Sequence, residues 1–340
     1  MRRTTARGLC ACLALGIVAA VAGCGGGSDN SASGTTDGSQ GAGRKLRIVL
    51  VAHGPATSPD FGILANGFKH AGEDLNVSTE YRGTKASNTD PNEQRRLIEA
   101  AIATKPDGLI VTDPYPKSLN PVIKKATDAG IPVVLMNAGI GETAATGALT
   151  VFANDEHQSG VLGGQQMKTL GAKHALVVTT PPGAIGFVDE RTKGFTEGFG
   201  GLVTQAQIPL SNLSDAGFIK NAIEAKLTKD STIDAVFTIG SSVTPPALAA
   251  QGELGSRAKS MHWGAIDVPD ALLTAMKNDS WDFALNQQQF SQPYLATEAL
   301  LLNIKYGITP ASDFIPTGPA LITPANAARM AESEATHALK

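Results

Sequence analysis

The stretch that most constrains this chain is Leu46 to Leu75, LRIVLVAHGPATSPDFGILANGFKHAGEDL. Leu46, Ile48, Val49, Leu50, Val51 and Ala52 form a nearly unbroken apolar run without alternation, the pattern of a strand buried on both faces of a parallel sheet. A loop from His53 to Asp60 follows, with two prolines and a glycine. Beyond it Phe61, Leu64, Ala65, Phe68, Ala71 and Leu75 recur at three- and four-residue spacing, which is one apolar face of a helix. The unit is strand, loop, helix, and ligands of open α/β sheets sit beyond the carboxyl ends of the strands. His53 to Phe61 is therefore the first candidate site.

The plan repeats. Val77–Tyr81, Asp107–Thr112 and Ile131–Asn137 read as strands, and Asp90-Pro91 opens a helix with a good cap and a good first residue. The segment Gly139 to Gly147, poor in large apolar residues, reads as a passage between two lobes. After it the pattern restarts with strands at Leu149–Ala153, His174–Thr179, Gln205–Leu210, Ala235–Ile239, His262–Ile266 and Asp282–Asn286, separated by helices. Strands alternating with helices of this length imply an α/β fold with parallel pairing and right-handed crossovers. An extended piece at Phe314–Ile322 and a helix from about Pro324 close the chain, and this region is placed to cross back between lobes.

The amino end reads as an address. Arg2, Arg3 and Arg7 precede the apolar run Leu9 to Val21, too short to span a bilayer and suited to a secretory signal. Val21-Ala22-Gly23-Cys24 resembles the lipobox of bacterial lipoproteins, so residues 1–23 are expected to be removed and Cys24 lipidated. The plainer alternative is an ordinary secretion signal with Cys24 an incidental thiol. Cys10 and Cys12 lie in the leader, which excludes a disulfide within the mature chain. Loss of the leader's three arginines takes the formal charge from -3 to about -6. Gly25 to Gly43, rich in Gly, Ser, Asp, Thr and Gln, reads as a flexible tether, so that residues 24–44 form a leash.

With a pI near 6.1 and no basic cluster, the chain lacks the footprint of a nucleic-acid binder. No G-x-S-x-G, H-E-x-x-H, phosphate-loop or dinucleotide fingerprint is present, and the six histidines have no ligand spacing. No catalytic residue, metal site or cofactor is expected.

The segments SPDFGILANGF, LIEAAIATKPDGLIVTDP, AGIPVVLMNAG, FANDEHQSGVLGG, GFVDERTKGF, DAVFTIG, GAIDVPD and FALNQQQFSQPY, in this order, resemble the ribose- and galactose-binding periplasmic proteins of bacterial sugar ABC importers. The resemblance covers about Lys45 to the carboxyl end. It implies two Rossmann-like lobes with parallel sheets, the periplasmic binding protein type 1 fold, hinged by three crossings near Gly147–Asn154, Gln287–Gln289 and Pro316–Ala320. The lobes are expected as 45–138 with 288–317, and 139–287 with 318–340.

Carried over position by position, the resemblance implies that Ser58, Asp60 and Phe61 form the first-loop contact. Asn137, beside Ala138, stands where ribose binders have an Asp-Arg pair. Arg191 matches a ligand-reaching arginine, with Asp189 before it. Gly240 replaces an asparagine ligand, and Asp267 and Gln287 complete the polar ring. Asp60 and Asp113, both past strand ends, are candidates to restore the contacts that the missing pair leaves open. The chemistry suits a hydroxyl-rich guest, because carboxylates accept from adjacent hydroxyls, a guanidinium donates, and amides do both. Each residue also admits a plainer role: Asp267, Asp60 and Asp113 as helix-start acids, Arg191 as half of a surface ion pair with Asp189 or Glu190, Gln287 as a solvated amide, Asn137 as a strand-end cap, and Phe61 as core.

The expectation is a lipid-anchored monomer at the extracytoplasmic face of a bacterial membrane. It captures a neutral sugar or polyol and presents it to an ABC transporter permease. The alternatives are a receptor for another small ligand (an autoinducer-like furanosyl molecule, a nucleoside or an amino acid), the effector-binding half of a repressor, and an exported α/β hydrolase.

Overall fold

A computed structural model describes residues 44–86 and 90–333 of the chain. The leader, Cys24 and the tether expected at its amino end lie outside the described residues. The first half runs β1 (Arg47–Ala52), α1 (Pro59–Asp74), β2 (Ser78–Gly83), α2 (Pro91–Ala103), β3 (Gly108–Val111), α3 (Pro116–Asp128), β4 (Val133–Met136), α4 (Thr143–Thr146) and β5 (Val151–Asn154). Next come α5 (Glu156–Leu170), β6 (His174–Thr179), α6 (Gly186–Phe199), β7 (Leu202–Gln207), α7 (Ala216–Lys229), β8 (Ala235–Thr238) and α8 (Thr244–Glu253). The chain continues with β9 (His262–Ile266), α9 (Asp270–Lys277), β10 (Phe283–Asn286), α10 (Ser291–Tyr306), β11 (Phe314–Gly318), β12 (Ala320–Ile322) and α11 (Pro324–Ser333).

The strands form two sheets, ordered β2-β1-β3-β4-β5-β11 and β7-β6-β8-β9-β10-β12. Every pairing is parallel except β10 with β12. The unbroken apolar character of β1 follows from this placement. Ile48, Leu50 and Ala52 face a core built with Phe61, Leu64 and Phe68 of α1 and Ala296 and Leu300 of α10. Val49 and Val51 face the opposite core, with Ile98 of α2 and Leu119, Val122 and Ile123 of α3. The second sheet is covered in the same way, by Met167, Phe195 and Phe199 on one side and by Ile219, Ile223 and Leu272 on the other. Full burial of each such side chain contributes about 1.5–3 kcal/mol, which makes the two-sided sheets the main source of stability.

The chain passes between the sheets three times: after β5, after β10, and between β11 and β12. One expected boundary is corrected by this topology. The segment 139–147 does not leave the first lobe, because β5 pairs with β4 through Leu135–Val151 and Met136–Phe152 and lies in the first sheet. The glycine- and threonine-rich stretch instead folds as the single turn α4 against α3, with Thr146 buried and its carbonyl accepting from Thr127 Oγ1 at 2.8 Å. Residues 139–154 thus belong with the first sheet, and the first passage falls at Asn154.

In both sheets the strand order reverses between neighbours, at β1/β3 and at β6/β8. Crevices at such switch points, beyond the carboxyl ends of the strands, are where open α/β sheets bind ligands.

Candidate functional site

Loops leaving the strand ends of both sheets meet at a cleft of about 370 Å³. The first sheet contributes Ser58, Asp60 and Asn66 to its wall; the second contributes Ser241, Asp267 and Asp270. This volume lies within the roughly 300–1,000 Å³ of ordinary small-molecule sites.

Asp60 stands in the first turn of α1, where Pro59 opens the helix and an acid suits the helix dipole. Its Oδ1 accepts from Ser241 Oγ at 2.9 Å, a contact from one sheet's loops to the other's. Ser241 Oγ is also 3.0 Å from Asp267 Oδ2, and the Ser241 amide donates to that same oxygen at 3.2 Å. Asp267 directly follows β9 with φ of 72°, a left-handed backbone position at the strand's carboxyl end. Its Oδ1 accepts from Gln287 Nε2 at 2.5 Å. Burial, and then the charge of Asp267, hold the Asp60 carboxyl above its usual range against the opposing pull of Ser241 and Arg191.

Arg191 lies beneath this ring on α6 and is only 3% exposed. Its Nε donates to Glu156 Oε2 at 2.6 Å and its Nη1 to the Ile239 carbonyl at 2.8 Å, while Nη1 is 3.9 Å from Asp267 Oδ2. The Phe187 ring is 5.0 Å from the guanidinium carbon. Burial alone would lower the Arg191 value, but Glu156 first and then Asp267 raise it, so the group is a permanent cation. The surface ion pair with Asp189 or Glu190 is not formed: Asp189 Oδ2 instead accepts from the Gly183 amide at 2.9 Å in the loop before α6.

The other expected residues are placed as follows. Ser58 precedes α1 and donates through Oγ to the Pro55 carbonyl at 3.0 Å while lining the cleft. The Phe61 ring does not line the cleft volume. It packs edge-on against His53, with centroids 4.7 Å apart, and covers Gly54, where a Cβ would lie 2.2 Å from the ring. That contact assigns Phe61 to the first core, with 6% exposure. Asn137, with φ of 62°, donates to Gln292 Oε1 at 3.2 Å. Gln292 is fully buried and donates in turn to Thr317 Oγ1 at 3.1 Å, so the amide is tied to the chain passages rather than left free at a strand end.

Asp113 is enclosed, and neither carboxyl oxygen has a partner at hydrogen-bond geometry. Burial first and the Glu142 charge second push it up to about 7, with the Tyr115 amide a weak counterweight. His53 is the reverse case: burial lowers it to about 3 and keeps the ring neutral. The His53 amide at 3.0 Å and Gln94 Nε2 at 3.2 Å both donate to Thr112 Oγ1 and take up its two lone pairs, which directs the hydroxyl hydrogen to Nδ1 at 2.7 Å and puts the ring proton on Nε2.

The structure therefore brings together Asp60, Arg191, Asp267 and Gln287, with Ser58 on the same cleft wall. Ser241, Glu156 and Gln292 join the network without having been expected. Ser241 directly follows the Gly240 that stands in place of an asparagine, and Glu156 lies inside FANDEHQSGVLGG, so adjacency to matched motifs was the available signal. The assembled ring offers carboxylate acceptors, amide and hydroxyl groups of both kinds, and one buried cation, without a nucleophile–base pair or, among the described residues, a cluster of three metal-ligating side chains.

A family model described as a periplasmic binding protein domain matches residues 50–307. Among curated proteins, the xylose/arabinose-binding protein XylF of Sulfolobus acidocaldarius is 25% identical over 295 residues, covering 82% of this chain and 71% of that protein. Among solved structures, a carbohydrate transporter from Acidothermus cellulolyticus 11B in complex with myo-inositol is 30% identical, with a TM-score of 0.72, over 85% of this chain and 97% of that one. The arabinose-binding protein AraP of Geobacillus stearothermophilus shares the fold at 24% identity and a TM-score of 0.69, over 84% of this chain and 99% of that one. With two parallel α/β sheets, three passages between them and a polar cleft at their strand ends, the chain belongs to the periplasmic binding protein family.

Proposed function

We propose that this protein is the substrate-binding lipoprotein of an ABC importer, which captures a neutral sugar or polyol between its lobes and delivers it unchanged to a permease. The observation that carries this reading is the ring Asp60–Ser241–Asp267–Gln287, contributed from both sheets at the switch-point crevice. A ring of acceptors and amides can satisfy successive hydroxyls, and each buried hydroxyl left unpaired costs roughly 1–3 kcal/mol. The relatives point the same way, since XylF is named for xylose and arabinose and the 30%-identical structure holds myo-inositol.

Arg191 argues against an amino-acid ligand. Its Nε serves Glu156 and one Nη1 hydrogen serves Ile239, so the side-on fork through Nε that would grip a carboxylate is taken, and the remaining Nη hydrogens are left for a ligand hydroxyl. Ser58, Asp60, Arg191, Asp267 and Gln287 are the groups assigned to the ligand, with Asn137 and Asp113 as outer contacts. Closure about the passages at Asn154, Asn286 and Gly318 is the signal read by the permease. Cys24 anchors the monomer to the extracytoplasmic face and the tether gives it reach; no helix among the described residues is long and apolar enough to cross a membrane.

The test is thermal unfolding of the mature protein with pentoses, hexoses, cyclitols, nucleosides and amino acids. Ligand at about 100 times its dissociation constant adds roughly 2.7 kcal/mol of stability. A shift with a cyclitol or pentose is expected; a shift with amino acids alone overturns the reading.

A further inference from the structure

Helices α5 and α6 meet backbone to backbone. A Cβ built on Gly160 would lie 2.1 Å from the Arg191 carbonyl oxygen, and one on Gly194 would lie 2.1 Å from the His157 carbonyl oxygen. Only glycine permits this approach, and it sets the first turn of α5 directly against the Arg191 turn of α6. Asp155 caps α5 by accepting from the Gln158 amide at 2.9 Å, which leaves Glu156, the first helical residue, to project across the contact. Its Oε2 accepts from Arg191 Nε at 2.6 Å and from Asn154 Nδ2 at 2.8 Å.

Asn154 makes this more than an ion pair. It is the last residue of β5, it is 1% exposed, and it stands where the chain leaves the first sheet for the second. Its Oδ1 accepts from Ser159 Oγ at 3.0 Å. It pairs in register with Gly318 at the end of β11, where a Cβ would lie 2.8 Å from Asn154 Oδ1 and 2.8 Å from the Asn286 carbonyl oxygen. The three passages between the sheets thus come together at Gly318, with the Asn154 side chain on one side and the Asn286 carbonyl on the other, and one carboxylate oxygen of Glu156 connects Asn154 to Arg191.

We propose that Glu156 is a positioning residue that ties Arg191 to the junction of the three passages, so that the geometry of the junction fixes how the guanidinium is presented to the ligand. This rests on the sugar-or-polyol reading for its consequence but not for its test. Without Glu156, the nearest carboxylate for Arg191 is Asp267, now 3.9 Å away, and a guanidinium drawn onto Asp267 removes that carboxylate from the ligand ring.

The decisive experiment follows the Arg191 Nε–Hε resonance by NMR in the ligand-free mature protein. A shifted, slowly exchanging signal is expected in wild type and in Glu156→Gln, which still accepts the bond, and its loss is expected in Glu156→Ala. Asn154→Ala moves the same resonance although it does not touch Arg191. A signal unchanged in Glu156→Ala overturns the proposal, and one unchanged in Asn154→Ala overturns the link to the junction. With myo-inositol and D-xylose as probes, Glu156→Ala weakens binding by about tenfold or more, the worth of one charge-assisted hydrogen bond, and Glu156→Gln restores most of it. If wild type takes neither probe nor any other carbohydrate, the sugar reading fails, while the resonance still decides the part played by Glu156.

Discussion

Asp60 and Asp267, carried by opposite sheets, meet on a single hydroxyl: Ser241 Oγ lies 2.9 Å from Asp60 Oδ1 and 3.0 Å from Asp267 Oδ2. A hydroxyl has one hydrogen to give, so two ionised carboxylates leave this arrangement one donor short. Without a ligand the shortfall falls on the Asp60 carboxyl, which burial and the charge of Asp267 hold above its usual range. A sugar or polyol hydroxyl supplies the missing donor.

Ser241→Ala removes the only hydrogen the two acids share. The two acceptors then face each other, and loss of one hydrogen bond to a charged group is expected to weaken sugar binding by roughly tenfold, about 1.5 kcal/mol. Calorimetric titration of the variant checks it; an unchanged dissociation constant would place the ligand away from Ser241.

Asp113 predicts a pH dependence of folding. Burial and Glu142 raise its carboxyl from 3.8 to about 7, so the folded protein keeps a proton that the unfolded chain releases. Stability from this group is complete below pH 3.8, declines as pH rises through the window up to about 7, and is gone above it. The full loss is at most about 4 kcal/mol. Asp113→Asn abolishes that decline, so urea unfolding at pH 8 should show a more stable variant and a flatter profile between pH 4 and 8.

Arg191→Ala destabilises the empty protein as well as abolishing binding. At 3% exposure it neutralises the half-buried Glu156 and Asp267, and removing it is expected to cost up to about 3 kcal/mol, the low end for a buried pair. Chemical denaturation without ligand measures this. From sequence alone the same substitution is expected to leave the unliganded midpoint little changed, because nothing in DERTKGF reveals that the guanidinium is buried.

The architecture was legible where burial writes itself into periodicity. The runs His174–Thr179 and His262–Ile266 are apolar because both faces of each strand are covered, and Glu156–Leu170 is bounded by Asp155 and Gly171, a cap at each end. Edge positions carry no such imprint: β7 spans Leu202–Gln207 rather than the expected Gln205–Leu210, because the edge strand LVTQAQ buries only Ala206 fully and so lacks an apolar run. The stretch 139–147 misled for a related reason, since its hydrogen bonds to α3, from Thr127 to the Thr146 carbonyl and from Asn120 to Glu142, run through polar groups rather than large apolar ones. At the site, the helix-start position of Asp60 and the strand-end positions of Asp267 and Gln287 were readable. The partners of those groups were not, since Ser241 and Glu156 reach them only through the distance between loops and the glycine contact of α5 with α6.

The central claim is capture of a hydroxyl-rich guest by acids from both sheets. Its most direct test is calorimetric titration of wild type, Asp60→Asn and Asp267→Asn with the carbohydrate that gives the largest thermal shift. Saturable one-to-one binding in wild type, weakened in each variant by about tenfold or more, is the predicted result. Binding of equal strength in all three proteins, or no heat from any sugar or polyol, would contradict it.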